Sequence, residues 1–224
     1  MSTSKYLSIS EAAFVSGLAD RDLNRVVDEK LVPNELIIQG KNGRRFSALS
    51  LAFAKFYFES ARILSATCRK DIINLAHGNV RTRGKHYRIP DEVVFGDKRW
   101  EIGIDMVNVD ISPFVRKVWS NLRLADAAKS LITRDESVMS GRPVFKGTRL
   151  PVDMIVDCWG SELSIQEVQE AYPSLTEKQI DAAKVYVKLH PPRGRPRRLA
   201  EVNQALKVRA GNQSARGIMS PKID

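Results

Sequence analysis

The chain has 224 residues, of which 43% are hydrophobic and 28% charged, and its 36 Lys and Arg against 26 Asp and Glu give a formal net charge of +10. That balance excludes a collagen-like or wholly disordered polymer and allows one large or two small globular domains. No window approaches the roughly 20 apolar residues of a membrane span, and MSTSKYLSIS has no signal-peptide core, so a cytoplasmic protein without membrane contact is expected.

The positive charge points to an acidic partner, which could be nucleic acid, an anionic membrane or an acidic protein surface. Cys68 and Cys158 lack CxxC spacing, which speaks against a disulfide framework or a zinc site and for buried inert thiols. His77, His86 and His190 lie in separate segments and suggest no shared metal.

Residues 6 to 59 read as a first compact stretch. Ser8 and Glu11 have capping-box spacing before a short helix that Gly17 ends. Asp20 is expected to cap a second helix, RDLNRVVDEKLV, which buries Leu23, Val26, Val27 and Leu31, exposes Arg21, Asn24, Arg25 and Asp28, and stops at Pro33. Leu36 to Gln39 and Arg44 to Phe46 flank Gly40-Lys41-Asn42-Gly43, a hairpin turn. The helix AFAKFYFESARILSA follows, with Phe53, Phe56 and Tyr57 as its aromatic stripe.

Helix, turn, helix and a two-stranded basic wing is the layout of a winged helix-turn-helix. Over about 50 residues the sequence also resembles MerR-type DNA-binding domains, through Tyr6, Ser8, Glu11, Ala12, Ala13, Gly17, the run from Asp20 to Asn24, Leu31 and Arg44-Arg45-Phe46. The resemblance implies that Arg21, Asn24 and Arg25 enter the major groove and that Lys41, Arg44 and Arg45 hold phosphates from the wing.

Residues 66 to 130 read as a connector. Arg81, Arg83, Lys85, His86 and Arg88 form a basic cluster. Trp100, Ile102, Ile104 and Met106 alternate as in a half-buried strand, the alternation slips at a bulge or turn, and it resumes at Val109 and Ile111. Ser112 and Pro113 then open a helix containing Phe114, Val118 and Leu122.

From 131 to 190 the chain reads as two short strands around a Gly-rich turn, followed by three short helices. The first helix repeats Val152, Ile155, Val156 and Trp159; Ser164 with Glu167 and Thr176 with Gln179 cap the other two. So small a unit buries a thin core and needs a partner or a second copy to complete it. Its Gly141-Arg142-Pro143-Val144 and Gly147-Thr148-Arg149-Leu150-Pro151-Val152 run lacks the glycine-lysine order of a phosphate loop. Thr148 and Arg149 are read as turn geometry and helix entry.

That run, with Ser164-Ile165, Glu167-Val168, Tyr172-Pro173 and Leu175-Thr176, closely resembles a short bacterial domain found in antitoxins of type II toxin-antitoxin operons. Together with the MerR-like stretch it resembles a VapB-type antitoxin. The resemblance implies an operator-DNA repressor, a homodimer and the neutraliser of a PIN-like ribonuclease toxin, with no catalysis and no cofactor.

The tail from Arg193 carries eight basic residues against Glu201 and Asp224, which is +6 of the total charge. Pro191, Pro192, Gly194 and Pro196 make an extended entry, and Leu199, Val202 and Leu206 then fall on one helical face too short to be stable alone. In the antitoxin reading that face sits in a groove of the toxin, Arg193, Arg195, Arg197 and Arg198 line the rim, and Arg209 and Arg216 reach for the acidic metal pocket. A stand-alone MerR-like regulator is the alternative and leaves the tail idle. Nothing in the sequence assembles a catalytic constellation or a metal site. The expected architecture is therefore mainly α with small β elements: an N-terminal winged helix-turn-helix (1–65), a connector with short strands (66–130), a C-terminal trihelical helix-turn-helix-like domain for dimerisation (131–190) and an extended basic tail (191–224).

Overall fold

A computed structural model describes residues 6–41, 43–81, 100–104, 106–159 and 165–191. Over these the chain is mainly helical, with three short antiparallel strand pairs. Residues 6 to 191 belong to a single compact unit. The basic cluster beyond Arg81, Ser164 and every residue of the tail from Arg193 lie outside the described residues.

The first helix, α1 (Ile9–Ser16), starts at the expected capping box and ends at Gly17, whose φ of 74° is the left-handed turn that a residue without Cβ adopts freely. The next helix, α2 (Asp20–Asp28), is capped by Ala19 without a side-chain bond, so Asp20 stands inside its first turn, where a carboxylate faces the positive helix end. It also ends earlier than the apolar spacing predicts. Lys30 takes a left-handed φ of 50°, and the amides of Lys30 and Leu31 turn back onto Val27 O (3.3 Å) and Val26 O (3.0 Å). This closing turn drives Leu31 and Val32 into the core outside the helix.

The strands β1 (Ile37–Gly40) and β2 (Gly43–Phe46) pair with Gly40 opposite Gly43, and Leu7 bridges Phe46 on the far side. Helix α3 (Ala48–Glu59) begins before the expected start because Ser47 caps it, and its stripe of Phe53, Phe56 and Tyr57 is buried. Ser60 turns back onto Phe56 O at 2.6 Å, so the segment read as one helix breaks there, and α4 (Ala66–Arg81) begins a separate run. The strands β3 (Glu101–Ile104) and β4 (Val107–Asp110) form a hairpin, and the slip in alternation is its turn.

Helix α5 (Ser112–Ser130) is the longest. Its N-cap is Ile111, not Ser112, and Asp110 one residue ahead accepts the Ser112 amide at 2.8 Å and its hydroxyl at 2.9 Å. Beyond it come β5 (Ile132–Thr133), pairing with β6 (Val144–Phe145), then α6 (Val152–Trp159), α7 (Ile165–Ala171) and α8 (Glu177–Leu189). The Thr176 and Gln179 capping box opens α8 as expected.

Two buried clusters result. The first gathers Val15, Leu23, Val26, Leu36, Phe46 and Phe53 with Val115, Val118, Leu122 and Ala125 of α5. The second gathers Ile132, Phe145, Ile155, Val168, Leu175, Ile180, Ala183 and Tyr186. Helix α8 serves both, since Leu189 belongs to the first cluster and Tyr186 to the second. The stretch read as a connector therefore supplies the central helix, and α5 with α1 covers the small C-terminal module. The thin core that was expected to call for a second copy is completed by the same chain.

Polar bonds fasten this seam. Asn121 of α5 donates to Val15 O at 3.0 Å, and Lys129 pairs with the shielded carboxylate of Glu11, whose other oxygen closes the α1 capping box. Burial raises the Glu11 pKa, but Lys129 and the Ser8 bonds outweigh it and leave the carboxyl below its ordinary value. A carboxyl with a lowered folded pKa adds stability above its unfolded pKa and loses it as pH falls through the folded one. Lys129→Ala should thus cost about 1–2 kcal/mol near neutral pH, because a shielded carboxylate loses its donor. The deficit should shrink in acid, as pH falls through the lowered folded pKa of Glu11 and the carboxyl protonates in both proteins. Denaturant titrations at neutral and acid pH measure it.

Candidate nucleic-acid interface

Local sequence makes α2 two-sided: Leu23, Val26 and Val27 are buried while Arg21 and Arg25 are exposed. Arg21 is 86% exposed and stands 3.8 Å from Asp22, a loose pair in water. Arg25 is held more closely. Its Nε and second guanidinium nitrogen donate to the two oxygens of Glu29 at 2.7 and 3.3 Å, and its carbon lies 5.3 Å over the Phe58 ring. The hydrogen bond to Glu29 raises the Arg25 pKa, and the same bond lowers that of Glu29. This guanidinium must exchange a carboxylate before it can take a base or a phosphate.

The hairpin beside α2 obeys the two-residue period of a strand. Arg44 and Phe46 point inward, whereas Gly43 and Arg45 face solvent. Arg44 donates to Asn24 Oδ1 at 2.8 Å, to Asn24 O at 3.2 Å and to Asp28 Oδ1 at 2.5 Å. Asn24 is thereby half-buried under the hairpin and occupied. The phosphate role expected of Arg44 and the base-reading role expected of Asn24 do not fit these positions, because the two side chains satisfy each other. Arg44 is a staple between hairpin and helix. Arg45, and Lys41 at the turn, remain exposed and form no hydrogen bond or ion pair among the described residues.

Of the six residues expected to meet DNA, the structure bonds Arg44 to Asn24 and Asp28, bonds Arg25 separately to Glu29, and leaves Arg21, Lys41 and Arg45 exposed. The surrounding stretch is close to neutral: from residue 6 to 65 eight Lys and Arg stand against seven Asp and Glu. The residues expected to bind a toxin, Arg193, Arg195, Arg197, Arg198, Leu199, Val202, Leu206, Arg209 and Arg216, lie outside the described residues.

In the C-terminal module Thr148 fills the structural role read for it. Its hydroxyl donates to Phe145 O at 2.9 Å and accepts the Leu150 amide at 3.1 Å. Arg149 does not, since it projects from the turn, exposed like Lys146 and without a bonded partner among the described residues. Arg142 pairs with Asp153 at 2.5 Å and ties the turn to the start of α6. Among the described residues no group of His, Cys, Asp and Glu is arranged as a metal site, and no helix is long and apolar enough to cross a membrane.

Comparison with other sequences places the chain. It is 31% identical over 210 residues, covering 94% of this chain and 93% of the relative, to "Uncharacterized protein y4eO" of Sinorhizobium fredii. The chain belongs to the family of that protein. Residues 132–187, from β5 to α8, match the family described as "Protein of unknown function (DUF433)". No solved structure matches the chain.

The Arg44 staple has a measurable cost. Arg44→Ala should lower stability by about 0.5–1.5 kcal/mol by leaving Asn24 and Asp28 without their donor, whereas Arg45→Ala should be neutral within about 0.5 kcal/mol. For a chain of this size the first corresponds to a drop of about 2–4 °C per kcal/mol in the thermal midpoint, read by calorimetry.

Proposed function

We propose that the protein is a cytoplasmic DNA-binding antitoxin, whose N-terminal helix and hairpin contact operator DNA as a winged helix-turn-helix does and whose basic tail neutralises a PIN-like ribonuclease. The observation that carries the DNA half is the Arg44 bridge to Asn24 and Asp28, which makes one rigid body of an exposed helix and a basic hairpin. A preorganised pair of elements meets a groove and its flanking phosphates without a further ordering cost. Lys41 and Arg45 supply phosphate contacts; Arg21 and Arg25 supply base contacts, Arg25 after releasing Glu29.

The toxin half rests on the likeness of residues 132–189 to antitoxin-associated domains and on the tail's composition. Guanidinium groups match clustered metal-binding carboxylates in two-pronged fashion, so an arginine-rich tail is chemically suited to such a nuclease. In this reading a homodimer spaces two α2 helices on half-sites about one helical turn of DNA apart.

Binding to operator fragments across a salt series tests the DNA half. Lys41→Ala and Arg45→Ala should each weaken all sequences alike and reduce the salt slope by about 1, while Arg25→Ala should cost about 1–3 kcal/mol at one base position and relax preference there. Four variants at Arg21, Arg25, Lys41 and Arg45 that all bind as the parent does would remove α2 and the hairpin from DNA recognition. A chain ending at Pro191 should keep sequence preference and lose inhibition of the cognate nuclease; full inhibition by that truncated chain would sink the tail's role.

A further inference from the structure

Where α2 gives way to α4 the surface holds a cleft of about 210 Å³, several times the roughly 30 Å³ that a water occupies in the liquid. It is lined by the segment Lys30 to Asn34 and by Lys70 and Asn74 of α4. Lys70 and Asn74 are four residues apart on α4 and so share one face of that helix. The side chains of Lys30, Asn34, Lys70 and Asn74 have no hydrogen bond or ion pair among the described residues. Of the nearby carboxylates, Asp28 pairs with Arg44 and Glu35 with His77 at 2.9 Å, while Glu29 is bonded to Arg25 and also lies in the field of Lys70. Two ammonium groups and two amides thus line one cleft with no hydrogen bond or ion pair among the described residues.

The backbone at Lys30 is a second, independent observation. The turn that closes α2 needs a left-handed residue one past the cap, and Lys30 holds it at φ 50° with both closing amide bonds formed. Glycine is the default there, because a Cβ crowds the next carbonyl in that conformation. A lysine held at a strained position, lining a cleft and with no side-chain bond among the described residues, is explained by a use for its side chain.

We propose that Lys30, Asn34, Lys70 and Asn74 form a binding site for a phosphate group, carried either by a nucleic-acid backbone or by a small phosphomonoester. Two lysines balance the anion's charge and the asparagine amides donate to its remaining oxygens. The site lies just past the C-terminal end of α2, where a duplex docked on that helix would pass its backbone; that arm alone rests on the DNA reading above.

The test uses the full chain, labelled with nitrogen-15, titrated with inorganic phosphate and separately with a short duplex over a salt series. Lys30→Gly and Lys70→Gln are compared with the parent. Inorganic phosphate should shift the amide resonances of residues 30 to 34 and 70 to 74 saturably, and each variant should lose about tenfold in that affinity. Lys30→Gly should melt at or above the parent temperature, which a structural lysine would not allow. A duplex salt slope lowered by about 1 in both variants assigns the phosphate to a nucleic-acid backbone. An unchanged slope with phosphate affinity lost assigns it to a phosphomonoester, and a parent that binds phosphate here but no duplex ends the DNA reading while leaving the site. The proposal is overturned if neither probe moves these resonances, if both variants bind phosphate as the parent does, or if Lys30→Gly melts lower.

Discussion

The packing of α8 against α5 is the contact on which the rest of the structure depends. Helix α8 faces both cores, and α5 closes the first. Val115, Val118, Leu122 and Ala125 of α5 close the N-terminal cluster, Ile132 at its exit enters the C-terminal one, and α8 contributes Leu189 to the first and Ile180, Ala183 and Tyr186 to the second. Burying one such side chain is worth about 1.5–3 kcal/mol, comparable with a good share of a domain's net stability. Neither cluster can shed this seam cheaply, so a module of some 56 residues completes its core against α5 and α1 of the same chain.

The seam also sets the electrostatics at the joint. Glu11 caps α1 and pairs with Lys129 of α5; Asp126 and His190 stand in the same field. Burial raises the Asp126 pKa and lowers that of His190, so both are biased towards their neutral forms while Glu11 stays ionised. At the other end of the N-terminal unit the charges cancel in pairs, with Arg25 on Glu29 and Arg44 on Asp28. The exposed Lys41, Arg45, Lys146 and Arg149, the cleft lysines and the tail's composition are among the positive charges left for an anionic partner.

What the sequence made legible was local. The Ser8 and Glu11 box, the Gly17 stop and the Thr176 and Gln179 box each involve residues a few positions apart, and each stands where the spacing predicts. The end of α2 was hidden, because a lysine in a left-handed turn has no composition signal and Leu31 continues the helical spacing. Arg44 was misread for another reason: its partners Asn24 and Asp28 are 20 and 16 residues away, and only the pairing register turns it inward. The apolar face of α5 was visible as a pattern, but what covers an apolar face is a tertiary fact. Of the candidate site, Arg21, Lys41 and Arg45 stand exposed, while Arg25 and Arg44 are bonded to carboxylates that spacing does not reveal.

The central claim is that one cooperative unit runs from α1 to α8 across α5. Native-state amide exchange, followed at Phe53 in α3 and Ala183 in α8 as denaturant rises, tests it most directly, since each amide lies in a different core. The account predicts that both open with the same free energy and the same denaturant dependence, as residues of one unit do. Ala183 opening at a lower free energy with a smaller denaturant dependence, while Phe53 stays protected, would contradict it and return the chain to two domains joined by a connector.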